Sequence, residues 1–225
     1  MIIFDDVDLD TAVTEAINGR IVHAGQACCS SKRFIVQENI YDEFAGRLAE
    51  RLKGMKIGDP LDQGSRVGPL IDERAAQRVE EIVDRTVKAG AYCLCGGRRF
   101  DGNFFEPTVL TGVTPAMDIA QNLEVFGPVF PLIKFKTEEQ AVAIADNCTY
   151  GLSSGVISGE IQRAIRVARQ LDAGNCTING TGLYRTHDMP FGGHRKSGLG
   201  TEGLYATLDE FTKTKTYVWK GAAIR

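Results

Sequence analysis

Short apolar runs alternate along this chain with longer segments whose apolar residues recur every three or four positions. No other feature constrains the fold as tightly. The runs fall at residues 1–4, 33–36, 91–95, 108–110, 129–135, 155–157, 175–178 and 216–219. Between them, residues 10–24 set Ala12, Val13, Ala16, Ile17 and Ile21 on one stripe. Residues 40–55 space Phe44, Leu48 and Leu52 four apart, with Asn39 as the expected N-cap. Residues 72–89 open on Asp72-Glu73, which favours the positive end of a helix dipole, and stop at Gly90. Residues 137–145 begin with the capping-box pattern Thr137-Glu138-Glu139-Gln140, and 161–171 turn Ile165, Ala168 and Leu171 inward. Strands alternating with helices of this length predict an α/β fold, a mostly parallel, twisted sheet flanked by helices.

Residues 210–220 break the pattern. Phe211, Lys213, Lys215, Tyr217 and Trp219 alternate with Thr212, Thr214, Thr216 and Val218, which predicts an added C-terminal strand. Such a strand either ends the sheet as an edge blunted by lysines or pairs with a second subunit. The Gly- and Pro-rich stretch 180–203 predicts a long irregular segment near a site.

Composition narrows the class. A chain of 225 residues, 43% hydrophobic and 24% charged, matches an ordinary globular protein. The net charge of −3 leaves no basic footprint for nucleic acid or an anionic membrane. No apolar run reaches the ~18 residues that span a bilayer. Residues 1–6 do not form a signal peptide, since Asp5 and Asp6 follow four apolar residues. Six scattered cysteines describe no disulfide framework and fit a reducing, cytoplasmic setting. Cys93 and Cys95, two apart in an apolar run, are expected to share one face of a strand as packing residues. No metal site is expected.

Chemistry concentrates at His23-Ala24-Gly25-Gln26-Ala27-Cys28-Cys29-Ser30-Ser31-Lys32-Arg33. A thiol attacks as the thiolate, and nearby cations and backbone N–H groups favour that form. Cys28 is therefore a candidate nucleophile, set against the ordinary alternative of a cysteine that fills core space. Two further motifs follow, Leu123-Glu124-Val125-Phe126-Gly127-Pro128-Val129 and Met189-Pro190-Phe191-Gly192-Gly193-His194-Arg195-Lys196-Ser197-Gly198. In this order and at these separations the three motifs resemble the aldehyde dehydrogenase superfamily, over essentially the whole chain.

The resemblance implies a catalytic domain over residues 1–203, an oligomerisation segment over 204–225, and no cofactor-binding domain within the chain. It makes Cys28, not Cys29, the nucleophile that captures an aldehyde as a thiohemiacetal and then holds a thioester. It assigns Glu124 and Phe126 to the nicotinamide ribose of NAD or NADP, and Cys29 and Phe191 to the substrate pocket. Tyr184, Arg185 and His187 fall in the family's substrate loop. Partners implied are a small-molecule aldehyde and further copies of the chain. The family's general-base glutamate and oxyanion-hole asparagine would lie before Met1, so the chain alone is expected to be weakly active or inactive.

Some positions depart from the family pattern. His23 stands where asparagine is common and Arg195 where lysine is common, and Ala75 and Arg78 replace residues that contact the cofactor ribose in some members. Two other readings compete. One is a cysteine hydrolase, which needs His187 or His194 beside Cys28; the other is a non-catalytic assembly domain that keeps the fold.

Overall fold

A computed structural model of the chain describes residues 1–221. Seven strands build one sheet: β1 (Ile2–Ile3), β2 (Phe34–Gln37), β3 (Tyr92–Cys95), β4 (Thr108–Val113), β5 (Val129–Phe135), β6 (Ser153–Ile157) and β7 (Asn175–Ile178). Their order is β7-β6-β1-β2-β5-β4-β3. All neighbours are parallel except β3, which runs antiparallel to β4. The mostly parallel α/β sheet read from the sequence is the observed one.

The central strands are buried on both faces, which requires cover on both sides. In β5 every residue but Lys134 is buried, although successive side chains point to opposite faces. Among the described residues there are six helices: α1 (Leu9–Ile21), α2 (Glu38–Lys53), α3 (Glu73–Lys88), α4 (Glu138–Asp146), α5 (Ile161–Ala168) and α6 (Leu204–Phe211). α1 packs beside α2. α4 and α5 are joined by Arg166 Nη2 at 2.6 Å from Glu138 Oε1.

Local signals set several helix starts. Asp72 accepts from the Ala75 N–H at 2.7 Å. Thr137 Oγ1 accepts from the Gln140 N–H at 3.3 Å, while Gln140 Oε1 reaches back to the Lys136 N–H at 2.7 Å. Asn39, in contrast, caps nothing. β2 runs straight into α2 with Gln37 at the cap position, so Asn39 lies in the first turn and its amide donates to Asp5 Oδ2 at 2.9 Å.

One other expectation fails. A bulge between Cys93 and Cys95 breaks the alternation of β3, leaving Cys93 exposed on the edge strand and Cys95 half-buried. Within the chain no strand is present over 210–220: 204–211 are helical, and 212–221 are exposed and pair with no strand of the described residues. A β ladder needs a partner edge, and this segment meets none within the chain. The last four positions of the 204–225 segment lie outside the described residues. Among the described residues no helix is long and apolar enough to cross a membrane.

Candidate active site

α1 ends at Ile21, and the backbone then turns left-handed at His23 (φ 54°), Ala24 (φ 52°) and Gly25 (φ 76°). Two consecutive non-glycine residues in that region are costly, so neighbouring bonds must hold them. Gln26 does so. Its backbone N–H and side-chain Nε2 both donate to the His23 carbonyl, at 3.1 and 3.0 Å, and its Oε1 accepts from the Ile71 N–H at 2.9 Å. The next turn carries Cys28 and is closed by the Ser30 N–H on the Ala27 carbonyl at 3.2 Å. Lys32 Nζ donates to the same carbonyl at 2.7 Å. Cys28 is exposed as a result.

The turn lies at the amino ends of β1, β2 and β6, on a cleft of about 300 Å³. Ligands of open α/β sheets usually bind beyond the carboxyl ends, so this placement is unusual. Cys28, Lys32, Glu124 and Phe126 line the cleft together. The first and second sequence motifs are thus brought face to face. Lys32 Nζ sits 4.2 Å above the Phe126 ring centroid. Burial and the Arg20 charge hold its ammonium down to about 8, against the favourable charges of Glu124 and Cys28. Burial pushes the Cys29 thiol up, and so does neighbouring Cys28.

Beneath the cleft, Arg20 is fully buried at the end of α1. Its Nε donates to the Val129 carbonyl (2.8 Å), Nη1 to Ser30 Oγ (3.2 Å) and Nη2 to the Val125 carbonyl (2.6 Å). Burial pulls this guanidinium down to about 9, opposed by the charge of Glu124. Neither Arg20 nor Lys32 emerged as a site residue from the sequence. One signal was available for Arg20: it stands seven residues after Val13 and three after Ile17, on the apolar stripe of α1, where a charge is out of place.

Cys29 and Phe191 are not among the residues lining this cleft. The Cys29 carbonyl instead faces Gly182, where a Cβ would come within 3.2 Å of it, so the 180–203 segment starts against the Cys28 turn. Phe191 bridges to Glu202, and its ring lies 4.1 Å under the Arg185 guanidinium carbon. Arg185 and His187 line a separate hollow with Leu204, Leu208 and Phe211. No histidine lines the Cys28 cleft: His23 faces other hollows, and His194 Nδ1 pairs with Asp172 Oδ1 at 2.8 Å. The Cys–His pair required for a hydrolase is not assembled there. Among the described residues no group of three or more His, Cys, Asp or Glu side chains gathers to hold a metal.

The profile of the aldehyde dehydrogenase family matches residues 1–217. A glutarate-semialdehyde dehydrogenase of Pseudomonas putida is 41% identical over 214 residues, 95% of this chain and 44% of that protein. The structure of betaine aldehyde dehydrogenase from Staphylococcus aureus in complex with NAD+ superimposes with a TM-score of 0.89 at 39% identity, covering 93% of this chain and 42% of that one. Glyceraldehyde-3-phosphate dehydrogenase of Methanocaldococcus jannaschii complexed with NADP gives 0.88 at 37% identity, covering 93% and 45%. The chain spans a little under half the length of these relatives. In sequence and in fold, it belongs to the aldehyde dehydrogenase family.

Proposed function

We propose that this chain carries the nucleophile of an NAD- or NADP-dependent aldehyde dehydrogenase, which oxidises a small aldehyde to its carboxylic acid. One observation carries the reading: an exposed Cys28 shares a cleft with Glu124 and with Phe126, which is 41% exposed. A carboxylate able to accept from ribose hydroxyls, beside a partly exposed aromatic side chain, suits the nicotinamide end of such a cofactor. When bound, the oxidised nicotinamide supplies the hydride acceptor that the oxidation requires.

The chain's own part is covalent. The Cys28 thiolate adds to the aldehyde carbon, forming a C–S bond as the carbonyl π pair moves onto oxygen. The backbone N–H of Cys28 is the donor from this chain for that oxyanion. After oxidation of the carbon, water adds to the thioester, the C–S bond breaks, and the acid leaves with the thiolate restored. Residues 1–203 form the catalytic unit in this reading, and 204–225 the segment through which copies of the chain assemble. Six free thiols fit a reducing, cytoplasmic setting.

Peptide-resolved alkylation with iodoacetamide tests the reading. A simple aldehyde in excess is expected to protect Cys28 while leaving exposed Cys93 unprotected, and Cys28→Ser is expected to abolish whatever aldehyde-dependent NADH formation the chain shows. Equal labelling of Cys28 with and without aldehyde, or NADH formation that survives the substitution, would refute it.

A further inference from the structure

We propose that Arg20 is a positioning residue that couples the Cys28 turn to the Glu124–Phe126 segment, so that thiol and carboxylate are held as one unit. The consequence for catalysis rests on the reading of Cys28 given above; the coupling itself does not.

Each donor of the guanidinium reaches a different piece of the site. Nη1 holds Ser30, two residues past Cys28, and Ser30 Oγ passes the link on to the Gly19 carbonyl at 3.0 Å. Nη2 holds Val125, the residue between Glu124 and Phe126. Nε holds Val129, where β5 begins. Two of these partners lie 105 and 109 residues away in the chain. The two segments also touch through backbone, since a Cβ on Gly25 would meet the Gly127 carbonyl and lie 3.2 Å from the Arg20 carbonyl. A backbone contact of that kind sets a distance. The arginine adds direction.

Local packing does not account for an arginine here. Position 20 lies on the buried stripe of α1, where an aliphatic side chain would fill the space without taking a charge out of water. All three acceptors are neutral oxygens, so no ion pair offsets that burial. What a planar guanidinium offers, and an ammonium or an aliphatic chain does not, is a rigid fork able to hold several oxygens at fixed angles. The charged side chains that act on Arg20 or feel its charge are Glu124 and Lys32. Glu124 favours the protonated guanidinium, and Arg20 in turn disfavours the Lys32 ammonium. One substitution at position 20 therefore reaches both walls of the cleft.

Hydrogen exchange in the 225-residue chain tests the coupling, using Arg20→Met and Arg20→Lys. Peptides covering residues 26–31 and 123–129 are expected to exchange faster together, about tenfold or more for a lost charge-assisted bond, while α2 is unchanged. In the same samples the ratio of Cys28 to Cys93 alkylation is expected to change about threefold or more, since Cys28 sits in the turn that the Arg20–Ser30 bond braces. Cys93, on the far edge strand, reports general loosening, so a merely structural role would not move the ratio. Should Arg20→Met fail to fold, Arg20→Lys and Ser30→Ala, which deletes the Nη1 acceptor alone, are read in the same way. Faster exchange in only one of the two peptides, in neither, or throughout the chain including α2 would overturn the proposal, as would an unchanged ratio. Failure of aldehyde to protect Cys28 in the unsubstituted chain would remove the dehydrogenase reading and leave the exchange result standing.

Discussion

Gly25 rests directly on the carbonyl of Gly127, close enough that a methyl group at position 25 would collide with that oxygen. One residue precedes the Gln26-Ala27-Cys28 turn and the other follows Phe126, so the two halves of the cleft meet at a point where no side chain fits.

Gly25→Ala should therefore be among the most damaging small substitutions. The residue is left-handed at φ 76°, which alone costs an alanine about 1–2 kcal/mol, and the collision adds to it. A loss of at least about 2 kcal/mol corresponds to a Tm lower by about 4–8 °C in a chain of this size. Thermal unfolding followed by circular dichroism measures it, and a Tm within a degree of the unsubstituted chain would contradict the account.

Lys32 gives the chain a pH dependence of known sign. Its ammonium is held down from 10.5 to about 8, so between those values the unfolded chain binds more protons than the folded one. The penalty is complete below about 8 and is relieved as pH rises toward 10.5. Lys32→Met should remove this contribution, so that the stability difference between the variant and the parent shrinks across that window. Urea titrations at pH 7, 8, 9 and 10 check it; a constant difference would show that Lys32 is not held in this state.

Asp72→Ala tests a helix start read from sequence. Its carboxylate accepts from the Ala75 N–H at 2.7 Å, and losing such a cap costs about 1 kcal/mol. The expected drop in Tm is about 2–4 °C, with Cys28 alkylation unchanged because the cap lies outside the cleft lining. A slower Cys28 would mean that α3 communicates with the site.

Residues 212–221 expose Tyr217, Val218 and Trp219, each more than four-fifths accessible, on a segment that pairs with no strand among the described residues. If copies of the chain assemble through it, the intact chain sediments as a dimer or larger and a chain ending at Phe211 sediments as a monomer. Sedimentation velocity separates these outcomes, and identical behaviour of the two would remove the segment from the interface.

Elements whose cause is local were legible in advance. The apolar runs at 33–36 and 129–135 became β2 and β5, and Asp72 and Thr137 cap the helices they precede. Asn39 misled because the cap position was already taken by the last residue of a strand. The alternation over 210–220 joins no sheet within the chain, because period two describes a strand's faces and says nothing of a partner edge.

By itself, then, the sequence determined the α/β architecture, most helix starts and the motif that makes Cys28 a candidate nucleophile. These depend on periodicity, caps and turn chemistry within a few residues. Only the tertiary structure decided that Cys28 shares its cleft with Glu124, that Lys32 covers Phe126, that Cys29 and Phe191 stand outside that lining, and that Arg20 ties the walls together. Those relations join residues up to about a hundred positions apart. Their energies come from burial and hydrogen-bond geometry, which exist only once the sheet has brought the segments into contact.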